Sequence, residues 1–291
     1  MLKNLYDYPE LERVELESGR HYLDSNGNPV PSVTTVLSNT SNASEGIDRW
    51  RQRVGDLEAD RIIKQSTDIG TAVHEALESY LKKEQWDEFD ISIPDQNTSR
   101  LITKKFISDG LNSINEIWGL EVGLILDGLY AGTADCVGLV NGIPSIIDFK
   151  TAKKIKKREW IEDYFLQGCA YANAHNVMFG TDISQIVILM VDRDLIFQDF
   201  FVRTAEFNVL TRKWKNKLLK FNSRWRCSTK VQRIAAFRYP PRLMANVSVV
   251  ILFSFRAALY SIKTENSGFN SISNPKNKFG SSSPSSVSVK L

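Results

Sequence analysis

The chain has 291 residues, 42% of them hydrophobic and 24% charged, which is material for one sizeable domain or two small ones and excludes a wholly disordered polypeptide. Its three cysteines, Cys136, Cys169 and Cys227, are too few and too scattered for a disulfide framework or a thiolate zinc site. The net charge of +3 conceals an asymmetry, because residues 211–291 hold 16 Lys and Arg against one acid, Glu265, leaving 21 basic and 33 acidic residues in the first 210.

The first residues contain neither an apolar signal core nor the acid-poor composition of a transit peptide, so a cytoplasmic, reducing location is expected. The most apolar run, residues 247–255, is far shorter than the roughly 20 residues of a membrane span, and no membrane role is expected.

In chain order, residues 20–37 read as a hairpin: a strand over 20–23, a turn at Asn26-Gly27 and an extended segment closing on Pro31-Ser32-Val33-Thr34-Thr35-Val36-Leu37. Helical periodicity covers about 45–83, with a break near Asp68-Ile69-Gly70 and a second helix over 71–81 that carries His74. A helix is predicted over 99–118, then extended runs over 120–126, 132–140 and 143–151, a helix over 161–176, a buried strand over 186–191 and a closing helix over 207–219. This order predicts a mixed α/β domain over residues 1–219, with a mixed central β-sheet flanked by helices. From Lys220 the periodicity fades, and residues 220–291 read as a basic, low-acid tail with a disorder signature over 266–291. Such a tail is either an arm adding phosphate contacts or a frame-shifted or read-through extension, and the near absence of acids favours the second.

The dipeptide Asn141-Gly142 between two strand-like runs favours a two-residue type I′ turn, which sets Val140 opposite Ile143. Carried outward, that register sets Asp135 opposite Asp148 and Thr133 opposite Lys150, all on one face, while Ile147 and Phe149 point the other way into a core. Pro144, which lacks a ladder donor, is the residue able to shift that register. Taken singly, Asp135 and Asp148 are ordinary strand-end acids, and Lys150 opens a solvated basic run with Lys153, Lys154, Lys156 and Lys157. Facing each other, two carboxylates need a cation, and Mg²⁺ takes one or two carboxylates plus water and substrate phosphate. Lys150 would then orient or deprotonate the attacking water and neutralise charge on a phosphate. Gln167 and Tyr171, four apart on the next helix, share a face, and His74 offers an imidazole to a metal such as Mn²⁺. By themselves these last three read as a polar helix edge and a helical histidine.

The set Gly70-Thr71-Ala72-Val73-His74, Gly132-Thr133-Ala134-Asp135, Ile147-Asp148-Phe149-Lys150 and Gln167 through Tyr171 resembles the PD-(D/E)XK nuclease superfamily, in particular its RecB-like branch with phage and mitochondrial exonucleases. Residues 31–37, Arg49-Trp50-Arg51-Gln52-Arg53 and His74-Glu75-Ala76-Leu77-Glu78 extend the likeness, which covers roughly residues 5–215. The resemblance implies a metal-dependent DNA exonuclease acting on single strands or free ends, in phage replication, recombination or DNA breakdown, inside the host cytoplasm if phage-encoded. It implies Mg²⁺ or Mn²⁺ held by His74, Asp135, Asp148 and the backbone carbonyl of Phe149. Lys150 would be the catalytic lysine, supported by Gln167 and Tyr171, with Ser32, Thr34, Lys153 and Lys154 near DNA. Phage replication or recombination proteins are the expected partners. An iron–sulfur cluster is not expected from three cysteines, nor ATP use without a phosphate loop. The rival from another class is a noncatalytic nucleic-acid binder using the basic arm and the aromatics Trp214, Phe221 and Trp225.

Overall fold

The structure, a computed structural model, describes residues 2–226 apart from Asn4 and Asn42, with the backbone alone for residues 43–45, 225 and 226. The chain divides into two compact units, 1–231 and 232–291, so the described residues all belong to the first. Cys227 and most of the expected tail lie outside the described residues.

Strands β1 (Arg13–Leu16), β2 (Gly19–Leu23) and β3 (Pro29–Pro31) form a small antiparallel sheet. Its second turn is the expected one: the Asp24 carboxylate accepts the backbone N–H groups of Asn26 and Asn28, and Gly27 takes φ +75°. Residues 33–37, expected as extended, are instead helical, in α1 (Val33–Thr40). Ser32 decides this, because it stays extended and its Oγ accepts the Thr35 N–H at 3.0 Å, so the helix starts with a satisfied cap. The β-branched run that suggested a strand supplies the helix's buried face through Val33, Thr35 and Val36.

The expected break at Asp68-Ile69-Gly70 is absent. Helix α2 (Ala43–Val54) ends at Gly55, whose φ of +86° is open to glycine at little cost, and α3 (Asp56–Lys82) then runs unbroken through His74. Helix α4 (Pro94–Lys105) is shorter than expected, because the chain passes through a wide turn at Phe106–Gly110 and a 3₁₀ turn at Leu111–Ser113 into a strand.

That strand is β4 (Ile114–Leu126), followed by β5 (Tyr130–Val140), β6 (Ile143–Ala152), helix α5 (Glu162–Phe179), β7 (Gln185–Asp192), β8 (Phe197–Arg203) and helix α6 (Thr204–Arg226). The fold is mixed α/β: β4-β5-β6-β7-β8 form one sheet in that order, with β6 and β7 parallel across α5 and the other neighbours antiparallel. Strand β8 had no counterpart in the expected elements. Asn141 and Gly142 take φ +51° and +77°, as a type I′ turn requires, and Pro144 pairs with Leu139 without shifting the register.

Helices cover both faces of the sheet. One core contains Ile146, Ile186, Ile188 and Met190 together with residues of α1, α5 and α6, while the other contains Ile147, Phe149, Val187 and Leu189 together with residues of α3 and α4. Each fully buried aliphatic side chain there contributes about 1.5–3 kcal/mol. Alternation along β6 therefore turns Phe149 toward α3 and Asp148 and Lys150 toward α5. Helix α6 runs past Leu219, where the domain was expected to close, to Arg226. Trp214 and Phe221 are 1% and 2% exposed within the core, so the binding-protein reading loses the support of these two, and the side chain of Trp225 lies outside the described residues. No helix among the described residues is long and apolar enough to cross a membrane.

Candidate metal centre

The expected facing of Asp135 and Asp148 is only partly realised. The β5–β6 ladder keeps the expected register as far as Cys136 opposite Ile147 and stops there. Beyond it the Asp135 carboxylate replaces the ladder, accepting the Phe149 N–H at 2.8 Å. Asp148 is 3% exposed and receives the Lys150 ammonium on Oδ1 at 2.6 Å, while its Oδ2 is buried without a hydrogen-bond partner among the described residues. Burial raises the Asp148 pKa despite the neighbouring ammonium. Burial works against charge on Lys150, but the carboxylates of Asp148 and Asp135 outweigh it and hold the ammonium protonated well above its usual range.

On the other side of β6, α3 delivers His74. Its Nε2 lies 2.8 Å from the Phe149 carbonyl, which can only accept, so Nε2 carries a proton. Its Nδ1 lies 3.5 Å from Glu121 and 3.7 Å from Asp135. Burial lowers the His74 pKa, but the Glu121 hydrogen bond and the Asp135 charge reverse this and lift it to about 9. An imidazolium thus occupies the focus of two carboxylates and a carbonyl.

His74, Glu121 and Asp135 each present one ligand atom within 4.8 Å of the others, the only such grouping of three or more His, Cys or acidic residues among the described residues. The donor set suits a divalent cation, being one imidazole nitrogen and carboxylate oxygens with the Phe149 carbonyl beside them. The orphaned Asp148 Oδ2 is a further oxygen needing a positive partner. Glu121 is absent from the expected set, whereas Asp148 stands outside the grouping, tied to Lys150. The strand geometry explains how Glu121 arrives. Leu120 and Cys136 pack on the α3 face and Val122 and Ala134 on the α5 face, so both strands change phase at Glu121 and Asp135. Glu121 absorbs the irregularity with φ +48°. Gly119 and Gly123 flank it, each so close to the amino-terminal segment at Tyr8 or Pro9 that a Cβ would collide. A strand acid framed by two glycines was the available signal.

Helix α5 brings its expected pair to the centre. Gln167 donates to the Tyr171 hydroxyl at 3.1 Å, burial keeps that phenol protonated, and the charges of Asp135, Lys150 and Asp148 all act on it. Tyr171 lies against Gly132, where a Cβ would stand 2.9 Å from the ring. Tyr164, one turn earlier, holds its ring 5.2 Å from the Lys150 ammonium. A cleft of about 440 Å³ opens beside the centre, lined by Tyr8, Arg13, Tyr22, Glu121 and Thr133 among others.

Ser32 is buried, with its hydroxyl used in the α1 cap and in hydrogen bonds with Thr34 and Thr35, and only Thr34 faces solvent. Lys153 and Lys154 are exposed on the loop after β6, Lys154 paired with Asp194 at 2.7 Å. Cys136 and Cys169 are free and buried.

No family model matches the chain. Human mitochondrial genome maintenance exonuclease 1 is 30% identical over 159 residues, covering 51% of this chain and 44% of that protein, so the chain spans under half the length of this curated relative. A crystal structure of a provisionally named exonuclease from Eubacterium rectale superposes with a TM-score of 0.41 at 14% identity, covering 55% of this chain and 65% of its own.

Proposed function

We propose that this chain is a divalent-metal-dependent deoxyribonuclease of the PD-(D/E)XK superfamily, RecB-like branch, acting as an exonuclease on single-stranded DNA ends. The observation that carries the reading is the grouping of His74, Glu121 and Asp135, with the Phe149 carbonyl on the other nitrogen of the His74 ring, beside a buried Asp148 with one oxygen unpartnered among the described residues and a lysine locked to the other. The likeness to a named exonuclease supports it.

Mg²⁺ or Mn²⁺ held by His74, Glu121, Asp135 and Asp148 would supply a Lewis acid for the phosphodiester and acidify a bound water. His74 must surrender a proton to become a ligand, so binding would be coupled to proton release. Lys150 serves better as a fixed positive charge than as a base, because the paired carboxylates keep it protonated, and it can stabilise charge growing on the phosphate oxygens. Asp148 and the Tyr164 ring position that ammonium, and Gln167 and Tyr171 brace the same side. Ser32, Thr34, Lys153 and Lys154 are assigned to substrate binding only through the resemblance, with Ser32 acting on the path of the chain rather than by direct contact. A role in phage replication, recombination or DNA breakdown in a host cytoplasm accords with this chemistry.

The test is cleavage of end-labelled single- and double-stranded DNA by the full chain in Mg²⁺, Mn²⁺ or EDTA, beside Asp148→Ala and Glu121→Gln. Shortening of single strands that requires metal and is lost in Asp148→Ala supports the proposal. Salt-sensitive binding with no cleavage under any condition overturns it in favour of a noncatalytic binder.

A further inference from the structure

The loop from β6 to α5 has five basic residues among the six from Lys153 to Arg158 and ends in Trp160, which is 64% exposed. Exposing a large indole forfeits several times the apolar burial of an ordinary surface residue, and a mobile loop would not hold it in place. This loop is anchored. The Gln198 side chain bonds both the N–H and the carbonyl of Lys156 at 2.9 and 3.1 Å. Arg158 donates to the Phe201 carbonyl at 2.9 Å, pairs with Glu206 at 2.8 Å and lies 4.6 Å from the Phe165 ring. From the second of these fixed points a 3₁₀ turn, Arg158–Trp160, closed by Trp160 N–H on the Lys157 carbonyl at 3.0 Å, presents the indole with the Lys157 ammonium 5.4 Å over its ring.

The charges nearby separate into used and unused. Lys154 is paired with Asp194 and Arg158 with Glu206, whereas Lys156 and Lys157 make no ion pair among the described residues. A flat aromatic face beside uncompensated cations suits an unpaired nucleobase with its phosphates. The loop begins three residues after Lys150, and four residues beyond Trp160 comes Tyr164, whose ring faces that lysine, so the platform is tethered at both ends to the centre.

We infer that Trp160, with Lys156 and Lys157, forms a stacking platform for one unpaired base of the DNA strand, making this loop a specificity element for single-stranded over duplex substrate. The inference rests on the nuclease reading for its substrate, and the experiment separates the two. Binding of a fluorescent oligothymidylate to the full chain is measured in EDTA, for wild type, Trp160→Ala, Trp160→Phe and Lys156→Ala/Lys157→Ala, with an abasic oligomer as control. Metal-dependent hydrolysis of bis(p-nitrophenyl) phosphate, which carries no base, is followed in parallel.

Trp160→Ala should weaken oligothymidylate binding about tenfold, Trp160→Phe should retain most of it, and the abasic oligomer should bind all three proteins alike. The double lysine variant should flatten the salt dependence by about two phosphate contacts. Hydrolysis of the small diester should be unchanged in Trp160→Ala. Equal binding of the oligomer by wild type and Trp160→Ala overturns the platform while leaving the nuclease intact. Absent hydrolysis by wild type in every metal, with binding still dependent on Trp160, overturns the nuclease and leaves the platform standing. Loss of hydrolysis in Trp160→Ala, with binding unaltered, would show the indole to be structural and likewise refute the platform.

Discussion

Replacing Lys150 by Met tests the electrostatic construction of the centre without reference to catalysis. Among the described residues the ammonium is the one partner of Asp148 Oδ1, at 2.6 Å, and Oδ2 has none, so Lys150→Met leaves a buried carboxylate unpaired among them. Removing one partner of a buried pair costs about 3–5 kcal/mol. For a domain of this size each kcal/mol moves Tm by about 2–4 °C, so the variant should melt roughly 6–20 °C below wild type at pH 8 in EDTA. Removing the charge should undo most of this loss: Asp148→Asn/Lys150→Met should recover the greater part of it, giving a strongly non-additive cycle. Acid should do the same. The folded-state pKa of Asp148 is raised above its unfolded value, so the folded state binds the proton more tightly, and the penalty shrinks as pH falls from 8 to 5. Differential scanning calorimetry of wild type, Asp148→Asn, Lys150→Met and the double variant at both pH values reads all of these effects. A single variant within about 1 kcal/mol of wild type, or a double variant as unstable as the single, would refute the argument.

Other expectations rest on separate contacts. A Cβ on Gly168 would stand 2.3 Å from Ile186 Cγ2, so Gly168→Ala should destabilise the fold by about 1–3 kcal/mol in urea titrations, and by less on an Ile186→Ala background. Glu121→Gln should weaken Mn²⁺ binding by about tenfold or more in calorimetry, and should lower the His74 titration seen by NMR from its metal-free value of about 9. Two histidines should impose opposite slopes on stability in EDTA, each at most about 3 kcal/mol. His175, fully buried, is lowered by burial to about 4, so its contribution is complete above pH 6.5 and declines toward pH 4. His74, raised to about 9, contributes fully below pH 6.5 and loses that contribution as pH rises to 9. Denaturation profiles in which His175→Gln and His74→Gln leave both slopes unchanged would count against these assignments.

His175 also shows what a sequence does not disclose. In the sequence it is one more helical histidine, like His74, and spacing alone does not rank the two; only the resemblance carried by Gly70-Thr71-Ala72-Val73-His74 does. Thr181 donates to Asn176 at 2.8 Å and so must accept from His175 Nδ1, leaving Nε2 to receive the Tyr8 hydroxyl. That fully satisfied neutral ring, packed among Tyr6, Trp118 and Phe179, is a core device, whereas the ring of His74 meets two carboxylates. Of the partners that set the two rings apart, Tyr8 for His175 and Glu121 and Asp135 for His74 lie more than 40 residues away in sequence, which local pattern cannot supply.

What local pattern could supply was the β5–β6 hairpin. Its turn chemistry, register and the opposite facing of Asp148 and Phe149 follow from Asn141-Gly142 and a period of two. The same logic fails one residue further out, because it assumes that strands stay regular, and at Asp135 and Glu121 they do not. A regular β4 would keep Leu120 and Val122 on one face and turn Glu121 away from both of them. The inversion instead sets the Glu121 and Asp135 carboxylates on a common focus at the cost of a positive φ on a non-glycine residue, of order 1–3 kcal/mol. Two acids are brought together by backbone strain with no lysine or arginine paired to either among the described residues, and beyond the bond of Asp135 to the Phe149 N–H their closeness gains nothing for the fold by itself. An imidazolium compensates them in the metal-free protein, and a divalent cation would do so with greater charge and without the proton. The irregularity that hid Glu121 from the sequence pattern is therefore the strongest structural argument that this grouping is built for a cation.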